Sequence, residues 1–208
     1  MEAVFAFAAA LVALRLGGRL AARWRARRAP ELAAWSAALL AYAVASAALA
    51  WGAAAGWDGR VFRVYYLFGG LLTAPLLGLG SLLLVGRRRV VGPALVYVGL
   101  AIGVAVASPL HGAITGDDIP KAQAHLDFFP ARLVAVLGNG LGTLAVLTVA
   151  IVTIRRRPLG NALVLAGIAV AAVGTALSGL GTAKTAVFVA IAALLLYGGF
   201  TASARRAS

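Results

Sequence analysis

A chain of 208 residues that is 62% hydrophobic and 12% charged, with a mean hydropathy of +0.96, is excluded from the class of water-soluble domains. Its formal charge of +13 would suggest a nucleic-acid partner in a soluble protein. Here the arginines stand in short runs between apolar stretches, the pattern of cytoplasmic membrane loops, so no nucleic acid is expected. The lack of cysteine excludes disulfides, thiolate metal sites and CxxC redox chemistry.

The first apolar stretch follows Glu2 and meets its arginines only after Leu14, the reverse of a secretory signal, so it reads as a retained span with its N-terminus outside. A hydrocarbon core about 30 Å thick needs around 20 helical residues. Spans are predicted at 3–22, 31–52, 64–86, 90–110, 130–154, 158–178 and 184–203. Arg15 and Arg19 fall in the first, four residues apart on one face, where their stems can snorkel to the headgroups. Trp24 and Trp35 are expected in one interfacial belt, and Trp51, Trp57, Tyr65, Tyr66, Phe128 and Phe129 in the other. Pro75 should kink the third span, with neighbouring helices satisfying the freed carbonyl.

The basic residues sort by side. With an outside N-terminus, the inner face holds Arg15, Arg19, Arg23, Arg25, Arg27, Arg28, Arg87, Arg88, Arg89, Arg155, Arg156, Arg157, Arg205 and Arg206 against Glu31 alone. The outer face holds Arg60, Arg63, Lys121, Arg132 and Lys184 against Glu2, Asp58, Asp117, Asp118 and Asp127, and is neutral. All the net charge lies on one side, as the positive-inside rule requires. The expected fold is an all-α integral membrane protein, a single bundle of seven transmembrane helices over residues 1–208 with its C-terminus in the cytoplasm. No separate soluble domain is expected. The Ala, Gly and Arg bias points to a GC-rich bacterial genome, and so to the bacterial inner membrane.

The segments Arg87–Val96 and Arg155–Val164 resemble each other, which reads as convergent hairpin chemistry rather than a duplication. Polar chemistry concentrates elsewhere. The outer loop gathers His111, Asp117, Asp118, His125 and Asp127, a polar cluster of the residue types that suit zinc or manganese. Its spacing matches no metal motif, so it reads as a hydrated loop, with no metal and no catalytic residue assigned. Asn139 is the strongly polar side chain deep in a span, flanked by Gly138, Gly140 and Gly142; its amide can bond a neighbouring helix or line a cavity. Lys184, Arg63 and Arg132 stand at outer span ends and, with Asn139 and His111, form the candidate ligand-binding set.

The string Leu71-Leu72-Thr73-Ala74-Pro75-Leu76-Leu77 resembles the third helix of the microbial rhodopsins, and Gly181-Thr182-Ala183-Lys184 resembles the segment before their retinal-binding lysine. That resemblance implies a Schiff base on Lys184. In the same register, however, Gly69, Gly70 and Gly80 stand where the family has its proton-acceptor carboxylate, ring-packing tryptophan and proton-donor carboxylate. Lys184 also falls at the outer membrane edge, so neither retinal nor another cofactor is expected.

The function expected from these features is small-ligand or ion binding by a sensor or transporter-like bundle with an outward-facing polar mouth. The alternatives are a structural or accessory membrane subunit and an outer-face metal-dependent enzyme. The partners expected are anionic lipid headgroups, held by Arg25, Arg27, Arg28, Arg87, Arg88, Arg89, Arg155, Arg156 and Arg157, and a second copy or another membrane protein.

Overall fold

A computed structural model of the protein describes residues 2–116, 119–155, 158–179 and 185–202. The described residues contain helices and connecting turns and no strand. The long helices are α1 (Glu2–Arg27), α2 (Pro30–Ala55), α3 (Gly59–Leu84), α4 (Arg88–Ala107), α5 (Phe128–Val152), α6 (Pro158–Gly179) and α7 (Thr185–Ala202). The first five are long and apolar enough to cross a membrane.

Local chemistry explains where these helices begin and stop. α1 runs through the first arginine cluster to Arg27 instead of ending at 22, because arginine is a good helix former and its charge can leave the apolar layer along its own stem. Arg28, at φ 52, then closes the turn. α2 starts on Pro30, a first-turn position where the missing N–H costs nothing, and stops at Gly56, which supplies φ +88. α3 starts at Gly59 rather than 64, because the Asp58 carboxylate accepts from the backbone N–H groups of Arg60 (2.7 Å) and Val61 (2.8 Å). α4 ends at Ala107 rather than 110, since Ser108 precedes Pro109 and is pushed into extended backbone.

α1 and α2 form one antiparallel hairpin, and α6 and α7 another. Contacts run from α6 to α7, α1, α2, α3, α5 and back to α6, so six helices close a ring. α4 sits outside that ring, against α3 and α5. One apolar cluster fills the loop end of the bundle, around Trp57, Phe62, Tyr66 and Leu71. A second, around Leu16, Leu20, Trp35, Leu39, Leu77 and Val146, fills the arginine end. Trp35 and Trp57, expected in interfacial belts, are packed inside the bundle: each is 3% exposed. Both fill space beside a glycine, Trp35 against Gly80 and Trp57 against Gly52, where any Cβ would collide with the indole. Trp51 does face outward. Arg15 and Arg19 lie on the exposed face of α1 with Leu11 and Leu14.

Candidate functional site

The centre of the α3–α4–α5 group is built around a proline. Tyr66–Leu72 of α3 is wound as a π-helix, and Pro75 follows one turn later. Such insertions and prolines are the usual causes of a helix kink. Counting back four residues from Pro75 reaches Leu71, and counting back five, the π register, reaches Gly70. Pro75 can donate to neither carbonyl. Each receives a side-chain donor from another helix instead. The Asn139 amide of α5 donates to Gly70 O at 2.7 Å, and the Tyr97 hydroxyl of α4 donates to Leu71 O at 2.9 Å. Tyr97 also lies 3.3 Å from Val134 O of α5, so one hydroxyl joins three helices. Within α3 the Thr73 hydroxyl donates to Phe68 O at 2.7 Å. In a bilayer, where no water can satisfy these carbonyls, this is how a broken helix is tolerated.

Glycine lets the helices approach closely enough to make those bonds. A Cβ built on Gly78 would stand 2.7 Å from the Cα of Gly142, and one on Gly142 would run into the carbonyl of Ala74. Gly138 has the Tyr97 hydroxyl where its Cβ would be. The pair Gly138 and Gly142 is thus a small-xxx-small face, with α3 and Tyr97 lying in its groove.

A cleft of about 230 Å³ opens beside this node, toward the arginine end. α3 lines it with Pro75, Gly78, Leu79 and Leu82, α4 with Val90, Pro93, Ala94 and Tyr97, and α5 with Gly138, Leu141 and Ala145. Apart from the Tyr97 hydroxyl, already bonded to Leu71 O, its walls are apolar. Of the apolar α4 residues facing away from the bundle, Leu95, Val96 and Leu100 are all more than half exposed.

The opposite end is closed. The described loop residues, 108–116 and 119–127, expected to be merely hydrated, fold back onto the bundle and bury Ile114 and Leu126 against the cluster of Trp57, Phe62 and Tyr66. Trp57 N–H donates to Gly116 O at 3.0 Å, and His111 N–H to His125 O at 2.9 Å. His125 Nδ1–H returns a bond to His111 O (2.9 Å), while its ring stands edge-on to Phe62. His111 Nε2–H donates to the Asp127 carboxylate at 2.9 Å. Tyr66 OH fastens the start of α5 by donating to Ala131 O at 3.0 Å.

The residues singled out for binding have separate partners here. Arg63 donates through Nη1 to Ala105 O (2.6 Å) and Val106 O (3.1 Å), so it caps the C-terminus of α4, where a cation also suits the helix dipole. Arg132 stands over the Phe128 ring, 5.6 Å from its centroid. No hydrogen bond or ion pair joins any two of Asn139, Arg63, Arg132 and His111. Of the polar cluster, His125 and Asp127 meet His111, and among the described residues no three His, Asp or Glu side chains converge as a metal would require. Asp117, Asp118, Lys184, Arg156, Arg157, Arg205 and Arg206 lie outside the described residues. Arg25, Arg27, Arg28, Arg87, Arg88, Arg89 and Arg155 are exposed.

Tyr97 and the cleft were not singled out from the sequence. The signal for Tyr97 was present: a proline in mid-span demands donors from its neighbours, and a tyrosine in mid-span is one of few that can supply them. Asn161, which donates to Thr153 Oγ1 at 2.9 Å and ties α6 to the end of α5, is a second polar residue overlooked in a hairpin. No protein-family model, curated protein or solved structure matches the chain.

Proposed function

We propose that this protein is a seven-span bundle, N-terminus outside and C-terminus cytoplasmic, that binds a small ligand drawn from the bilayer, as a sensor or transporter-like protein. The observation that carries this reading is the apolar cleft between α3, α4 and α5. It begins at Pro75, just beyond the π-wound stretch Tyr66–Leu72 of α3, and π-type insertions recur at functional sites. Asn139, Arg63, Arg132 and His111, first assigned to an outer mouth, are engaged with backbone, ring or loop, so an apolar or amphipathic ligand fits the walls better than an ion does. Support for seven spans with this orientation comes from the one-sided charge: alkaline phosphatase should be inactive when fused after Ser208 and active when inserted at Gly116.

The binding test uses Ala145→Leu, which grows a side chain into the cleft. Apolar ligands are screened for a rise in the melting temperature of the purified protein. At least one should stabilise the native chain and lose its effect in Ala145→Leu. If none does, the reading fails.

An accessory subunit is the second reading. The observation that favours it is the exposed outer row of α4, which a partner helix could cover. In native membranes a partner would shield Val96→Cys, on that outer row, from a lipophilic maleimide, and purification away from that partner would restore labelling.

A further inference from the structure

We propose that the ligand of the cleft is one acyl chain of an anionic phospholipid from the inner leaflet, whose phosphate rests on Arg87, Arg88 and Arg89. This inference depends on the cleft-binding reading and names its ligand class.

The shape of the cleft selects a chain. α3, α4 and α5 each line it over about two turns, roughly 10 Å at 1.5 Å per residue, so it is a groove and not a round pocket. At roughly 30 Å³ per methylene, close to the share of one water in the liquid, its 230 Å³ take seven or eight chain carbons. The single proton of the Tyr97 hydroxyl, the polar group in its wall, is already directed at Leu71 O, with Val134 O 3.3 Å away. The occupant therefore needs no polar atom at that depth.

The way α4 is fastened explains why the groove opens at one end. Arg63 holds the far end of α4 through the carbonyls of Ala105 and Val106, and Tyr97 holds its middle. From Tyr97 toward Val90 no side-chain hydrogen bond joins α4 to another helix among the described residues, and the helices stand apart there.

The charge at that opening selects the headgroup. Val90 lines the groove and directly follows Arg87, Arg88 and Arg89, while Leu82 lines it from the last turns of α3. The three arginines are exposed and make no side-chain hydrogen bond or ion pair with a described residue. In the proposed topology the inner face has Glu31 as its lone acid, so no protein carboxylate competes for them. Guanidinium groups at the mouth of an apolar groove match a phosphodiester at the head of an acyl chain.

The test uses the lack of cysteine. Ala94→Cys, the one thiol in the full chain, carries a bimane fluorophore and is reconstituted with phospholipids brominated on the acyl chain. Brominated phosphatidylglycerol should quench at about tenfold lower mole fraction than brominated phosphatidylcholine. Changing Arg87, Arg88 and Arg89 together to Gln should remove that difference. Adding Ala145→Leu should weaken quenching by both lipids, and soluble glycerol phosphate should not displace the brominated chain. Equal quenching by the two lipids in the native background, with Ala145→Leu still lowering both, overturns the headgroup assignment and leaves the cleft-binding reading intact. Quenching unaffected by Ala145→Leu overturns both. Full displacement by glycerol phosphate shows that the headgroup alone is bound and overturns the seated chain.

Discussion

On the loop side of Pro75, directed bonds tie the helices together: Arg63 to Ala105 and Val106 and Tyr97 to Leu71 hold α4, and Tyr66 joins α3 to α5. An aromatic cluster fills that side and the 108–127 segment covers it. On the arginine side the same helices meet through glycine and alanine, leave a 230 Å³ groove and end in unpaired cations. The difference follows from what a membrane core permits. Lipid is as apolar as leucine, so burial alone does not hold a helix there, and only hydrogen bonds and close packing do. Where α4 has such bonds it is held to its neighbours, and where it lacks them a gap remains for something apolar to fill.

The packing at Gly142 makes the largest test. Gly142→Leu places a side chain against the backbone of Ala74 and Pro75, which cannot swing away as a flexible side chain can. Such overpacking costs about 3 kcal/mol, and α5 should part from α3, with the Asn139 bond to Gly70 broken in consequence. Thermal or denaturant unfolding in detergent measures it. Gly140→Leu, on the same helix with nothing within 4 Å, is the control and should be nearly neutral. Equal effects at the two positions would break the contrast between a packed seam and an open face.

Next come the side-chain donors. Tyr97→Phe and Asn139→Leu each remove one interhelical bond, and each should cost about 0.6 to 1.7 kcal/mol. The sharper measurement is a double-mutant cycle with Pro75→Ala. Alanine at 75 restores a backbone N–H that can reach Leu71 O, so Tyr97→Phe should cost less in that background than in the native one. An unchanged cost would mean that the hydroxyl is not substituting for the donor that proline lacks.

How much of this was legible in the sequence depended on the range of the interaction. Apolar runs of membrane length announced the helices, and Pro75 announced a break whose carbonyls would need help from neighbours. Asn139 stood out because an amide in an apolar run has few physical excuses. Tyr97 did not, since its role depends on α4 lying against the π-helical stretch, and nothing local says which helices are neighbours. The start of α3 was set five residues too late because hydropathy discounts Arg60 and Arg63, whereas the helix answers to the Asp58 cap. The loop reads as hydrated because His111, Asp117, Asp118, His125 and Asp127 crowd it without metal-motif spacing; the burial of Ile114 and Leu126 comes from the aromatic floor beneath them. Trp35 and Trp57 are expected to face the interface, but Gly80 on α3 and Gly52 on α2 leave the space inside the bundle that the two indoles fill.

A cap prediction follows in size. Asp58→Ala frees the N–H groups of Arg60 and Val61 and should cost about 1 kcal/mol, whereas Asp58→Asn should retain most of it. Because this cap sets the first turn of α3, and with it Arg63, fraying there should also loosen the Arg63 bonds to the end of α4. Hydrogen exchange at residues 59–63 and 105–107 should rise together. A rise confined to 59–63 would show that α4 is held without Arg63.

The smallest effect belongs to the pair most visible in the sequence. His111 and Asp127 meet at 2.9 Å, but their side chains are 54% and 60% exposed, and water competes for both. A pair so exposed contributes about 0.5 kcal/mol, so Asp127→Asn should barely shift the melting temperature and His111→Gln no more than that. Leu126→Ala, one residue away, removes an apolar side chain from the cluster under the loop and should cost about 2 kcal/mol. Proteolysis between residues 111 and 127 reads the same ordering: Leu126→Ala should open the loop, and Asp127→Asn should leave it shut. The reverse ordering would mean that charge, not the aromatic floor, holds this end closed, and the contrast between a sealed end and an open one would rest on pH and salt instead of on packing.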